Sequence, residues 1–197
     1  MSPATGSASP EANRQLRLRR PDLVLADPYQ RVLDFFSSDA SSRGPGSYDQ
    51  YVLEGLSPPN RIVVEDIEAI NRTMRARAPH GDWKGVFTKQ ELPELVAVSP
   101  DWDLFLMPDE IWREERVPER LAALFSAVLG KGIGISRATK VLHIKRPALV
   151  PVCDAYVLEL MGIPGSTGDS AVSLIHHLRD LRADLNTELL DLQRLLA

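Results

Sequence analysis

The chain has a single cysteine, Cys153, in 197 residues. That excludes a disulfide framework, an all-cysteine zinc site and a cysteine-ligated iron–sulfur cluster. Nothing in the sequence calls for a cofactor or a metal. No apolar run approaches the ~20 residues that a membrane-spanning helix needs, so no membrane partner is expected. The first twenty residues, MSPATGSASPEANRQLRLRR, lack an apolar core and do not read as a secretory signal. A reducing, cytoplasmic setting is therefore the expectation. Aromatic residues are sparse at 6%, while the hydrophobic fraction of 44% suits a globular protein. The length suffices for one ordinary domain with a real core. Neither an internal repeat nor a convincing alternating strand pattern is present.

A more local scarcity is that of acid. The net charge is -4, yet Leu121 to Cys153 contains no Asp or Glu. The same 33 residues carry Lys131, Arg137, Lys140, Lys145 and Arg146, with His143 among them. At the chain's average of 27 acids in 197 residues, four or five would be expected there. Net charge therefore says little about nucleic-acid binding, because distribution decides it.

Helical signals dominate the rest. Residues 1–20 read as a disordered lead-in rich in Pro, Ser, Ala and Gly, and 21–197 as a single mostly α domain. Asp27 to Ser38 predicts a helix, with Asp27 as cap and Pro28 at its first position. Ile62 to Ala76 predicts a second, and APHGDWKG a break. Gln90 to Ala97 is a short helix or turn. Pro108 to Leu129 is a longer helix that Pro118 kinks or divides. Ser170 to Leu181 and Asp184 to Leu196 complete the set. Short helices without strands imply an all-helical fold.

The stretch GKGIGISRATKVLHIKRPALVPVCDAYVLELMG, from Gly130 to Gly162, carries the chemistry. Gly130, Gly132 and Gly134 end one helix and begin another, giving a hairpin of helices at about 121–142. A turn of this kind exposes amides at a helix N-terminus, and those amides can hold a phosphate. Lys131, Gly132, Gly134, Ser136, Arg137, Lys140, Lys145 and Arg146 are thus the candidate DNA-backbone contacts. The plainer alternative is a glycine C-cap followed by an ordinary helix with a solvated basic face. Pro147 and Pro151 then predict an extended link from Ala148 to Val152. Asp154 starts the helix Ala155 to Met161, as its cap or as a reactive carboxylate.

This pattern resembles the core of the helix-hairpin-helix DNA glycosylase superfamily, the group that includes endonuclease III and the adenine glycosylase. The family pattern is roughly L-P-G-V-G-x-K-T-A-x-x-V-L, a link, then V-D-T-H-V. Here G-K-G-I-G-I-S-R-A-T-K-V-L precedes V-C-D-A-Y-V, with 20 residues from Gly134 to Asp154. The resemblance implies a monofunctional glycosylase, a hydrolase of base excision that breaks the N-glycosidic bond of a flipped base. Asp154 would stabilise the oxocarbenium-like state. The family's Schiff-base lysine falls at Ser136, so strand cleavage through an imine is not expected. Trp112 and Tyr156, with Trp83, are the candidates to line a base pocket. The string A-T-K-V-L-H-I-K-R-P-A-L-V-P-V-C-D is also similar to the signature of an uncharacterised bacterial family, a likeness that implies a bacterial source. A non-catalytic helix-hairpin-helix module, binding DNA backbone with Asp154 only as a cap, stands beside the enzyme reading.

Overall fold

The computed structural model describes residues 15–17, 24–26, 57–87, 90–165 and 167–180. It divides into two units, Met1–Asp39 and Ala40–Ala197. In the first, β1 (Gln15–Arg17) pairs antiparallel with β2 (Val24–Ala26), with Leu16 and Leu25 in register. Strands of three residues are too short to register as an alternation in sequence. Of the expected lead-in at 1–20, the described residues are those of β1. The helices expected at 27–38 and 184–196 lie outside the described residues.

The second unit is mostly helical. The first helix among its described residues, α1 (Val64–Thr73), begins where the Asp66 carboxylate reaches back to the Val63 amide at 2.8 Å. This is half of a capping box, since Val63 has no side-chain oxygen to return the bond. The break expected at 78–85 is non-helical at Ala78 and Pro79 and then becomes a 3-10 helix, His80–Trp83, running into α2 (Lys84–Phe87). Gly81 and Gly85 disfavour helix, but full burial of Trp83 outweighs that local preference. A single turn, α3 (Pro93–Val96), follows.

The long helix expected at 108–129 is divided into α4 (Asp109–Glu114) and α5 (Val117–Val128). Arg116 separates them with φ 50. Pro118 then sits in the first turn of α5, where a missing N–H leaves no bond unmade. After a turn come α6 (Ile135–Lys145), α7 (Ala155–Leu160) and α8 (Gly168–Asp180). Helix α5 packs against α3, α4 and α8, while α6 packs against α1 and α8. The core joins Leu121, Leu124 and Phe125 of α5 to Ala138, Val141 and Leu142 of α6. Ile67 and Ile70 of α1 and Leu174 and Ile175 of α8 are buried too. Each of these side chains other than that of Ala138 contributes roughly 1.5–3 kcal/mol when fully buried.

The link before α7 differs from the sequence expectation. Pro147 to Leu149 is a turn, not an extended segment, because the Arg146 carbonyl accepts from both Leu149 N (3.1 Å) and Val150 N (2.9 Å). The chain is extended at Asp154, with φ -134 and ψ -179. No helix among the described residues is long and apolar enough to cross a membrane.

Candidate nucleic-acid interface

Residues 129–134 form the turn between α5 and α6. Gly130 and Ile133 exchange both backbone hydrogen bonds, at 3.2 and 3.0 Å. Gly132 sits at the apex with φ 81, a conformation that glycine adopts without strain. A Cβ there would collide with the Asp82 carboxylate. Gly134 is the N-cap of α6, so no side chain caps the N-terminus of that helix. Ser136, in its first turn, is half-buried, and Lys131 is exposed.

The five cations of the acid-free stretch do not share one surface. Arg146, expected to face phosphate, is 1% exposed. Its Nε donates to the Val98 carbonyl at 2.6 Å. Nη1 donates to the carbonyls of Pro59 at 2.8 Å and Lys145 at 2.7 Å. Nη2 donates to Asn60 Oδ1 at 3.0 Å and the Leu95 carbonyl at 2.5 Å. A guanidinium has five N–H donors, and here five acceptors engage them. Burial pulls its pKa down to about 10. Carbonyls at the ends of α3 and α6 lend the negative end of their dipoles to the charge.

Lys145 is also buried, at 4% exposure. Its ammonium meets Asp66 Oδ2 at 2.5 Å, the Pro58 carbonyl at 3.0 Å and Ser57 Oγ. Ser57 in turn donates to Asp66 Oδ1 at 2.6 Å. Burial lowers the lysine pKa, and the Asp66 carboxylate opposes that shift. Lys145 and Arg146 are therefore unavailable to DNA: their charges tie loop 57–60, α1, α3 and α6 together.

Arg137 and Lys140 are partly buried and also committed. Arg137 donates to the carbonyls of Arg77 (2.6 Å), Ala76 (3.4 Å) and Gly132, and pairs with Asp82 Oδ2 at 3.2 Å. Lys140 donates to the Met74 carbonyl at 3.0 Å. His143 Nδ1 lies 2.6 Å from the Val150 carbonyl and so is not simply a solvated helix-end histidine. Of the five predicted cations, Lys131 alone is exposed.

Thr139 positions the second half of the motif. Its Oγ1 donates to the Cys153 carbonyl at 2.8 Å and accepts from the Cys153 amide at 3.1 Å. Asp154 follows directly and caps α7, Oδ1 accepting from Val157 N at 3.0 Å. Its side chain is half-buried. Tyr156 is 81% exposed. Trp112 and Trp83, the other pocket candidates, are core residues. Trp112 lies beneath the Arg179 guanidinium, 4.4 Å from its ring centre, and edge-on to His176. The three rings of the expected base pocket thus include two that the core consumes.

Burial, with the Asp154 charge behind it, raises the Cys153 thiol pKa to about 11. At pH 8 the thiolate fraction is then roughly 200-fold below that of a free cysteine with pKa about 8.5. Alkylation by iodoacetamide at pH 8 is expected to be slower by at least that factor in the native protein. Denaturation should restore the ordinary rate. Native labelling at the free-cysteine rate would show that the Thr139 clamp on Cys153 is open in solution.

Residues 29–197 match the family of unknown function DUF6308. No curated protein and no solved structure matches the chain.

Proposed function

We propose that this chain, which belongs to the family DUF6308, is a non-catalytic module that binds the phosphate backbone of duplex DNA. The observation that supports it is the turn at 129–134. An exposed Lys131 precedes Gly134, and Gly134 opens an 11-residue helix whose N-terminus has no side-chain cap. Amides and dipole at such an end favour an anion, and a cation beside it adds charge. Asp82 brings the opposite sign to the turn, but its ion pair with Arg137 cancels most of that field. A grip of this size suits sequence-independent binding, with Kd of about 10⁻⁴–10⁻⁶ M at physiological salt.

Lys131→Glu tests the reading without touching the core. Fluorescence anisotropy with a labelled 20-base-pair duplex should show affinity falling as salt rises. In Lys131→Glu the log–log slope should become less steep by about 0.9, the share of one neutralised phosphate. Equal affinity and equal slope in the two proteins would remove the turn from the interface.

A second reading has one observation in its favour. Asp154 places one carboxylate oxygen on its cap bond while the side chain stays half-exposed, next to the exposed Tyr156. A glycosylase of the resembled type would use that carboxylate against the developing sugar cation. Ser136 in place of a lysine would leave hydrolysis as its route. The module reading predicts no base release from a panel of lesion-bearing duplexes. Release by the wild type that is abolished in Asp154→Asn would instead establish the enzyme. Asparagine is itself a good cap, so α7 should survive the change.

A further inference from the structure

Besides Lys131, exposed positive charge lies on a segment that Arg137 ties to the turn, outside the acid-free stretch. Arg72 is on the last turn of α1, and Arg75 and Arg77 follow within the strap of residues 74–79. His80 and Lys84 come next. All five are exposed. From Ala69 to Gln90 the one acidic residue is Asp82, and Arg137 neutralises it.

The strap is held in an unusual shape. Arg75 has φ 50 and Arg77 φ 49, left-handed values that cost a non-glycine residue of order 1 kcal/mol or more each. Several contacts over-determine them. Asn71 clamps Ala78 from both sides, accepting from its amide at 2.6 Å and donating to its carbonyl at 2.9 Å. The Ala76 amide donates to the Ile70 carbonyl at 3.2 Å. From the other side, Lys140 holds the Met74 carbonyl and Arg137 those of Ala76 and Arg77. Arg137 also bonds the Gly132 carbonyl of the turn. One side chain thus fixes strap and turn together.

We infer that this strap is a second contact strip for the DNA backbone, with Arg72, Arg75 and Arg77 reaching phosphates alongside the turn. The inference rests on the DNA-binding reading above and deepens it. Arg137 and Lys140 do not touch the ligand; they hold the strap carbonyls, and Arg137 ties the strap that carries the arginines to the turn that carries Lys131. A nucleic acid fits better than an anionic membrane. None of the large hydrophobic side chains exposed in the structure lies between residues 69 and 90, whereas membrane-surface segments bury apolar groups beside their cations.

The test is Arg72→Gln/Arg75→Asn/Arg77→Asn, with asparagine chosen because it tolerates left-handed φ. Duplex binding is measured from 50 to 200 mM salt for wild type, the triple variant and Lys131→Glu. Three lost phosphate contacts should flatten the log–log slope by about 2.7, so the wild type loses about 40-fold more affinity over that range than the variant does. Far-UV circular dichroism should be unchanged. A wild type that binds duplex, beside a variant with the same slope and affinity, overturns the strap alone. A wild type that binds no duplex at 50 mM salt overturns the DNA reading as well. Vesicles containing phosphatidylserine provide the other arm. Vesicle binding lost in the variant, with duplex binding unaffected, would assign the strap to a membrane and overturn the inference. If the triple variant is unfolded, Arg75→Asn alone is measured, and a slope change of about 0.9 is then required.

Discussion

Arg146→Met is expected to lower the unfolding free energy by at least about 4 kcal/mol, a loss that few single substitutions reach. The side chain is buried, and all five of its donors are engaged. Methionine fills part of the volume but leaves the carbonyls of Pro59, Leu95, Val98 and Lys145 without that partner, together with Asn60 Oδ1. Each buried acceptor left unmade costs about 1–3 kcal/mol, reduced where water enters. Against a total stability of about 5–15 kcal/mol, the variant stands near the edge of folding. Arg146→Lys separates charge from geometry. An ammonium keeps the charge but has three donors on a point, not five on a planar fork, so it should recover only part of the loss. Thermal unfolding followed by circular dichroism reads both. At 2–4 °C per kcal/mol for a chain of this size, Arg146→Met should lower the Tm by about 8 °C or more. A shift under about 3 °C would mean that the hub is dispensable.

The second large effect is expected at the Lys145–Asp66 pair. Both side chains are fully buried, and each is bonded to Ser57 as well. Lys145→Met leaves the buried Asp66 carboxylate without the lysine charge, and Asp66→Asn leaves the buried ammonium without that carboxylate. Breaking a buried pair from one side costs about 3–5 kcal/mol. Removing both charges at once is far less damaging, because no desolvated charge remains. The double variant Asp66→Asn/Lys145→Met should therefore be more stable than Lys145→Met alone, with a coupling energy of about 1–3 kcal/mol. Urea unfolding of the wild type, both single variants and the double variant measures it. Simple additivity of the two single effects would contradict the burial of the pair.

These two residues also show where a reading of sequence stops. The periodicity of α1, α5, α6 and α8 was legible, as were the division near Pro118 and the cap at Asp154, because each is a local pattern. The partners of Arg146 are mostly backbone carbonyls 48 to 87 residues away, apart from that of its neighbour Lys145. A carbonyl carries no residue identity, so no motif announces it. A run of cations without acids reads as an exposed patch, yet the same composition serves when the countercharge comes from elsewhere in the chain. One signal did point inward. Asp66 stands beside Ile67 and four residues before Ile70, which puts an acid on the apolar face of α1 and calls for a buried cation. For the strap, Arg72, Arg75 and Arg77 are visible in sequence, but their nearness to the turn depends on Arg137 reaching back about 60 residues.

The central claim is that the turn and the N-terminus of α6 meet the DNA backbone. An amide-resolved NMR titration of the ¹⁵N-labelled protein with an unlabelled duplex tests it most directly. The largest shifts should fall on the amides from Lys131 to Arg137, grow with DNA concentration and fade as salt is raised. A titration that leaves those amides unmoved at a DNA concentration of about 1 mM, well above the expected Kd, would contradict the account.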